Sequence, residues 1–399
     1  MPSRRWMVLV AGLVAVAAGC TVQYGTPFLI PALLADGLTL AQAGLLAGCP
    51  VAGLLGTLLL WGVAADRWGE RLVLSCGLGL GGATLLVGAL TLDGPRHAMT
   101  GLAVTLVLAG AATAAVHAAS GRLVLGWFDA RERGRAMAVR QCAQPLGVAA
   151  AALALPPLAG LGLPAALVAL GGGCLVATAL VIVIVRDPER PAHGDGQRAG
   201  SPYREPTLWR IHGASSLLVV PQFVIATYSL VFLVDGLGWA PVPAGRLLAL
   251  AQVGGAATRL AAGFWSDRVG SRLGPMRLLA AATGLSLLAL AAASLAGWSA
   301  VALAALLAST MLAVSTNGLA FTAVAERAGS AWAGRALGVQ NTAQNALAAA
   351  TPPVFGVLIA ALSYGGGFAV SIAFPVVAGL LVPVQDEVSG RRAGSRGPC

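Results

Sequence analysis

The sequence has no lysine and very little charge of any kind. Charged residues make up 10% and aromatic residues 6% of its 399 residues, whereas 57% are hydrophobic and the mean hydropathy is +0.82. No Asp or Glu lies deep within any of its long apolar runs. A soluble globular domain carries about a quarter of its residues as charges, so this composition excludes that class.

Groups that bind metals or carry out covalent chemistry are also scarce. The six cysteines show no paired or metal-like spacing, and the four histidines lack the spacing of metal ligands. The run from Gly77 to Gly82 fits a dinucleotide-binding pattern in letters only, since it lies inside an apolar run with no preceding strand. We therefore expect no catalytic residues, no metal, no cofactor and no enzyme activity, and we interpret these glycines as sites of close helix packing.

Long apolar runs are what the sequence has instead. Each is long enough to cross about 30 Å of hydrocarbon as a helix, and a bilayer leaves a single segment no other way to satisfy its backbone hydrogen bonds. The run that includes Cys20 continues to Ile30, so we interpret it as a membrane helix and not as a secretion signal. The sequence predicts an all-α membrane protein with twelve spans: 7–31, 40–64, 72–92, 98–121, 136–158, 163–185, 209–234, 243–265, 276–296, 299–324, 336–361 and 365–384.

The positive charge is distributed unevenly across these spans. The net charge is +10, and all but two of the 25 arginines, Arg96 and Arg246, lie nearest to span ends on the side of the N-terminus. Because basic residues concentrate on the cytoplasmic side, both termini are predicted to be cytoplasmic. We expect the charge to face membrane lipids and not nucleic acid. Arginine without lysine, with abundant Ala and Gly, is typical of a GC-rich bacterium, which favours the bacterial inner membrane.

The two halves of the chain repeat each other. Five residues of the stretch 62–71 recur at an offset of 201 in the stretch 263–272: Gly62, Asp66, Arg67, Gly69 and Arg71 match Gly263, Asp267, Arg268, Gly270 and Arg272. The stretch 134–144 matches 334–344 at an offset of 200, with six of eleven residues identical. The repeat predicts two pseudo-symmetric six-helix bundles, 1–185 and 208–385, joined by a cytoplasmic linker, 186–207, and followed by a cytoplasmic tail, 386–399.

The repeated charged stretch resembles the signature loop of the major facilitator superfamily. It departs from the family pattern at one basic position, which is Glu70 in the first copy and Ser271 in the second. The resemblance implies a transporter that moves a small-molecule substrate by alternating access, and we expect it to be a monomer. It also implies that the repeated residues form a conformational latch, with Asp66 facing the start of span 11 near Ala336 and Asp267 facing the start of span 5 near Ala136. The partial positive charge of a helix N-terminus is a physical reason for such a latch.

Polar residues at matched depths in the two halves are candidates for the substrate path, because a polar side chain facing lipid is costly. Gln23 and Tyr24 in span 1 match Gln222 and Phe223 in span 7, and His117 in span 4 matches Asn317 in span 10. The resemblance implies that these four spans line the central cavity. Each of these residues could instead bridge helices inside its own bundle.

Arg140 is the strongest single candidate for binding substrate. It lies inside span 5 with no acidic residue within a helical turn, and its guanidinium suits a carboxylate or phosphate. The alternatives are that it reaches the cytoplasmic surface or pairs with an acidic residue elsewhere in the fold. The candidates around it and at the matching positions of span 11 are Gln141, Gln144, Gln340, Asn341 and Gln344. We interpret Arg122 and Arg259 as interfacial anchors or as partners of the signature loop.

These residues favour a transporter of a small organic anion. His117 is the deep titratable candidate if protons are coupled, and otherwise uniport or anion exchange fits the absence of intramembrane carboxylates. One alternative is a drug/proton efflux antiporter. Another is a non-transporting membrane sensor of the same fold, which would be expected to carry a cytoplasmic signalling domain.

Overall fold

The computed structural model describes residues 2–91, 95–128, 130–187, 201–329 and 332–386. In these ranges every regular element is a helix, and eleven helical stretches are long and apolar enough to cross a membrane. They are α1 (Arg4–Ala35), α2 (Leu40–Trp68), α3 (Glu70–Thr91), α4 (Met99–Val124), α5 (Val139–Ala159), α6 (Leu163–Ile184), α7 (Pro206–Gly236), α8 (Pro241–Val269), α9 (Leu273–Leu295), α10 (Ser299–Ala328) and the stretch Ala333–Asp386.

The last stretch contains two of the predicted spans. Ser363 has a φ of 74°, outside the helical region, and it divides the stretch into α11 (333–362) and α12 (364–386). The prediction of an all-α protein with twelve spans is therefore confirmed. Most of the predicted linker and tail, residues 188–200 and 387–399, lie outside the described residues.

The charged stretches form tighter reversals than the sequence predicted. α2 continues through Asp66 and Arg67 to Trp68, and α3 begins two residues later at Glu70. Gly69 makes the turn alone with a φ of 91°, a conformation that glycine adopts without steric cost. α8 likewise continues to Val269 and is followed by Gly270, with a φ of 65°. Both helices can continue through their charged residues because charged side chains at a membrane surface remain hydrated.

Two matched helices are interrupted at equivalent points. The helix of α4 breaks at Ala114, between Pro95–Thr113 and Ala115–Trp127. That of α10 breaks at residues 314 and 315, between Ser299–Ala313 and Thr316–Ala328. Each break lies within one turn of the matched polar residue, His117 or Asn317, so the repeat extends to local backbone geometry.

The chain folds into two compact units. Unit 1 comprises Met1–Ala192, Thr227–Val253 and Pro352–Val357, and unit 2 comprises the remaining segments His193–Ala226, Gly254–Thr351 and Leu358–Cys399. In unit 1, α1 packs against α5 and α6, α2 against α4, and α3 against α6. In unit 2, α9 packs against α10 and α12.

Glycines set the closest approaches between helices of unit 1. A Cβ atom on Gly82 of α3 would lie 2.9 Å from the carbonyl oxygen of Gly171 of α6, and a Cβ on Gly171 would lie equally close to the carbonyl of Gly82. A Cβ on Gly77 would lie 2.7 Å from the carbonyl of Ala112. The interpretation of the Gly77–Gly82 run as close helix packing is confirmed.

Candidate functional site

The matched polar residues of the first half form one hydrogen-bonded chain in unit 1. Nε2 of His117 lies 2.7 Å from Oε1 of Gln23, and Nε2 of Gln23 donates to Oγ1 of Thr113 over 3.2 Å. Thr113 in turn donates to the carbonyl oxygen of Ala109. Gln23 and Thr113 are fully buried, whereas His117 keeps partial exposure. The chain joins α1 to α4 beside the break at Ala114.

The second half repeats this arrangement within unit 2. Nδ2 of Asn317 on α10 donates to Oε1 of Gln222 on α7 over 2.9 Å. Gln222 is buried, like Gln23 in unit 1, and Asn317 is partly exposed, like His117. The repeat matched Gln23 with Gln222 and His117 with Asn317, and the structure bonds each glutamine to the polar residue of its own unit. In each pair the glutamine is held inside the unit and the partner side chain is left accessible.

Arg140 contacts Ser120, which lies one helical turn beyond His117 on α4. Its Nε donates to Oγ of Ser120 over 2.9 Å, and a Cβ on Gly121 would lie 4.0 Å from its guanidinium carbon. With Ser120 it lines a small cavity whose other walls are apolar: Val8, Leu9, Gly12, Leu13, Leu123, Val124 and Phe128. Among the described residues, no carboxylate forms an ion pair with Arg140.

The other candidates of the first half lie next to Gln23 and Arg140 in the sequence. Tyr24 follows Gln23 on α1 and is partly buried, and it interacts electrostatically with Cys20 one turn earlier. Gln141 and Gln144 follow Arg140 and are partly buried as well. The helix that contains Arg140, Ala130–Gln141, ends here, and a new one starts at Ala143.

Gln340, the counterpart of Arg140, lies in a buried network of unit 2. Its Oε1 lies 2.5 Å from Nδ1 of His212, and its Nε2 donates to Oγ of Ser215. Nε2 of Gln344 donates to the same Ser215 oxygen over 2.7 Å. The hydroxyl of Tyr203 lies 3.2 Å from Nε2 of His212, and partial burial raises the pKa of Tyr203, which keeps it a donor.

Asn341 lies outside this network. Its Oδ1 and its backbone carbonyl both accept from Nδ2 of Asn345, one turn along α11. The neighbouring candidates Gln340 and Gln344 are buried, whereas Asn341 is partly exposed.

The first copy of the charged stretch is held by partners inside unit 1. Asp66 forms an ion pair with Arg122 of α4, which also donates to the carbonyl of Gly62 over 3.2 Å. The backbone N–H of Arg71 donates to Oδ1 of Asp187 over 2.7 Å, and its guanidinium donates to the carbonyl of Ile182. The guanidinium of Arg67 lies over the ring of Trp68. Arg122 is thus a partner of the signature stretch.

The second copy is held around Arg272 in unit 2. Its guanidinium pairs with Asp267, donates to Ser266 over 3.0 Å, and pairs with Glu326 over 3.1 Å. Burial works against the charge of Arg272, but hydrogen bonds to Asp267 and Glu326 raise its pKa above the ordinary value of arginine. Arg268 and Gly270 are exposed and Gly263 is partly buried. In both copies the repeated aspartate thus forms an ion pair with an arginine of the same unit.

Several partners in these clusters were not predicted from the sequence. Thr113, Ser120 and Ser215 are small hydroxyl residues buried in apolar helices. The first two also donate to carbonyls of their own helix, so nothing in their local pattern marks them.

Within the described ranges, no group of three or more His, Cys, Asp or Glu residues could hold a metal ion. Among the candidate residues, His117 is a partly exposed imidazole and Arg140 a partly buried guanidinium in unit 1, and Asn317 is a partly exposed amide in unit 2.

Comparisons with known proteins agree with this architecture. The sequence model of the Major Facilitator Superfamily matches residues 11–352. Uncharacterised MFS-type transporters of Mycobacterium tuberculosis strains H37Rv and CDC 1551 are each 42% identical over 385 residues, which cover 96% of this chain and 85% of theirs.

Solved structures show the same fold at low sequence identity. A bacterial homologue of the human lysosomal transporter Spinster, in an inward-facing and unoccupied conformation, has a TM-score of 0.79 at 14% identity and covers 96% of each chain. A D-xylose–proton symporter has a TM-score of 0.73 at 16% identity, covering 94% of this chain and 97% of its own.

Proposed function

Because the chain belongs to the major facilitator superfamily, it is a multi-pass membrane transporter of a solute, and we propose that this solute is a small organic anion. Members of the family are generally not enzymes. The observation that supports an anion is the environment of Arg140. Its charge lines an apolar cavity, and among the described residues it contacts a serine hydroxyl but no carboxylate.

A charge in this position is costly without a counter-ion. Even a partly buried ion requires compensation on the order of several kcal/mol when it leaves water. Among the described residues, the Ser120 hydroxyl and the Met137 sulfur, a weak acceptor 3.9 Å from Nη1, accept from two of the five N–H donors of Arg140. A carboxylate or phosphate group can accept two parallel hydrogen bonds from the same guanidinium. An anionic solute would therefore supply both the charge and the acceptors that the described surroundings of Arg140 lack.

Alternating access is the mechanism that we propose for this transport. The sequence repeats 1–185 and 208–385 would serve as the two halves, with the Gln23–His117 and Gln222–Asn317 pairs contributing polar groups to the path. The two charged stretches would act as latches that close the cytoplasmic side. We further propose that the protein is a monomer in the bacterial inner membrane, surrounded by lipids, with both termini cytoplasmic, as the arginine asymmetry indicates.

A thermal-shift screen of the purified full-length protein tests the anion. Acetate, benzoate, succinate and inorganic phosphate represent anions, choline and tetraphenylphosphonium represent cations, and glucose represents neutral solutes. We expect at least one anion to raise the unfolding temperature of the wild type, because a ligand at about 100 times its Kd adds about 2.7 kcal/mol of stability. We expect no shift with Arg140→Gln, a change for which Gln340 in the repeat is a natural precedent.

Arg277→Gln is the matched control, since it removes the same charge from an exposed position of α9. It should retain the anion-induced shift. Equal stabilisation of wild type and Arg140→Gln by cations or neutral solutes would overturn the anion proposal and favour drug efflux. Stabilisation of both proteins by the same anion would show that Arg140 is not the binding group.

A further inference from the structure

The two histidines with described side chains differ in what their ring nitrogens contact. Both nitrogens of His212 have partners, since Nδ1 faces Oε1 of Gln340 and Nε2 faces the Tyr203 hydroxyl. His212 is also buried. A further proton on this ring would have to break a hydrogen bond, because both nitrogens of an imidazolium are donors and one of these partners already donates. The geometry therefore gives His212 a structural role.

The hydrogen-bond chain of His117 fixes which of its nitrogens carries the proton. Thr113 donates its hydroxyl proton to the carbonyl of Ala109, so its oxygen can only accept from Gln23. Gln23 must therefore turn its NH₂ group toward Thr113 and its carbonyl oxygen toward His117. That oxygen can only accept, and the neutral imidazole must carry its hydrogen on Nε2.

This tautomer leaves Nδ1 of His117 as the basic atom. Among the described residues, Nδ1 has no hydrogen-bond partner, and the ring is partly exposed although its neighbour Gln23 is fully buried. A proton from water can form an Nδ1–H bond here without breaking the bond from Nε2 to Gln23. The same proton can return to water without any other bond changing.

The position of His117 relative to Arg140 supplies a reason for proton and anion to bind together. His117 and Ser120 lie one turn apart on α4, and Ser120 is the residue that accepts from Arg140. Arg140 is the charged group that acts electrostatically on His117, and the titratable groups on α1 nearby are Cys20 and Tyr24. Two positive charges repel each other, so an anion on Arg140 and a proton on His117 should favour each other.

We propose that His117 is the proton-binding site of this transporter, that it takes up the proton on Nδ1, and that it does so together with the anion at Arg140. The second part depends on the proposed function, because it requires an anion to be the solute. The coupled species would be one proton and one anion that bind and leave on the same side, which describes a symporter. In this proposal, His212 and the Gln222–Asn317 pair do not bind the proton.

The repeat itself supplies the test variant. His117→Asn recreates in unit 1 the glutamine–asparagine pair that unit 2 already contains, so it should fold and keep the bond to Gln23 while losing the titratable ring. His117→Gln is a second variant should the first be unstable. Histidines labelled with ¹⁵N report tautomer and protonation by nuclear magnetic resonance, and the signals missing from the variant identify His117.

The proton site is tested first, without any solute. We expect a signal of the Nε2–H tautomer in wild type that converts to imidazolium as the pH falls and that is absent from His117→Asn. An Nδ1–H tautomer for His117, or a ring that does not protonate between about pH 4 and 9, would overturn the proton site. This result is independent of which solute is transported.

Coupling is tested with benzoate and inorganic phosphate as probes. For one linked proton, the apparent Kd of the bound probe should tighten as the pH falls more steeply in wild type than in His117→Asn. The difference should reach up to about tenfold per pH unit between the pKa of the ring in the free protein and its higher pKa in the probe-bound protein. The same pH dependence in both proteins would overturn the coupling. If His117 protonates but neither probe binds at any pH, the coupling to anions is overturned together with the anion function, while the proton site stands.

Discussion

At the scale of single residues, the structure gives the matched polar residues of α1, α4, α7 and α10 defined hydrogen-bond partners. Gln23 accepts a hydrogen bond from His117, and its counterpart Gln222 accepts one from Asn317, the counterpart of His117. Offsets of 199 and 200 could identify these residues because the two halves keep their spacing. The hydroxyls that orient them, Thr113 among them, could not be identified, since one threonine in an apolar run looks like another.

Thr113→Val tests whether the buried hydroxyl supports the Gln23–His117 pair. The change keeps the shape of the side chain but leaves an N–H of the fully buried Gln23 without its acceptor. We expect the free energy of unfolding in detergent to fall by about 1 kcal/mol, a typical value for a hydrogen bond between membrane helices. Thr91→Val is the control, because that hydroxyl is exposed and bonds within its own helix. An equal effect of the two changes would show that the Thr113 bond contributes nothing specific.

At the scale of helices, the number of spans followed from the length of the apolar runs, but their ends and breaks did not. Hydropathy falls at the charged stretch 62–71, so the sequence placed a loop there, whereas the helix continues to Trp68. The breaks at Ala114 and before Thr316 lie inside long hydrophobic runs with a few isolated polar residues, so hydropathy does not mark them. Hydrophobicity reports burial in the membrane, but it does not report the local backbone turns that small residues and tertiary contacts permit.

Two adjacent glycines of α6 allow packing to be separated from helix propensity. Gly171→Ala would bring a Cβ within 2.9 Å of the Gly82 carbonyl, whereas a Cβ on Gly172 would meet nothing within 4 Å. Both changes gain about 1 kcal/mol of helix propensity, and overpacking costs about 1–3 kcal/mol. We expect Gly171→Ala to unfold at a lower temperature in detergent than Gly172→Ala. Equal unfolding temperatures would mean that α3 and α6 separate easily enough to admit a methyl group.

At the scale of the whole molecule, the repeat carried most of what could be predicted. A parallel repeat of six helices fixes the fold class, and the family match over residues 11–352 agrees with it. In the proposed function, a few side chains recognise the solute. The repeat helps less there, because the two halves differ at those positions: Arg140 has a neutral counterpart in Gln340, and His117 in Asn317.

The latch prediction concerns the balance between conformations. Asp66 pairs with Arg122 at the surface, and an exposed pair adds about 0–1 kcal/mol, so Asp66→Asn should barely change unfolding. If the Asp66 carboxylate also interacts with a helix N-terminus when the cytoplasmic side is closed, Asp66→Asn removes that interaction. The ratio of the inward-open to the closed conformation should then rise by about two- to fivefold. In a variant whose only cysteine is Cys142, near Arg140, a water-soluble maleimide should then label that residue faster by this factor. Asp36→Asn, at the opposite ends of the helices, should leave the rate unchanged. An unchanged rate with Asp66→Asn as well would leave Asp66 only its local pair with Arg122.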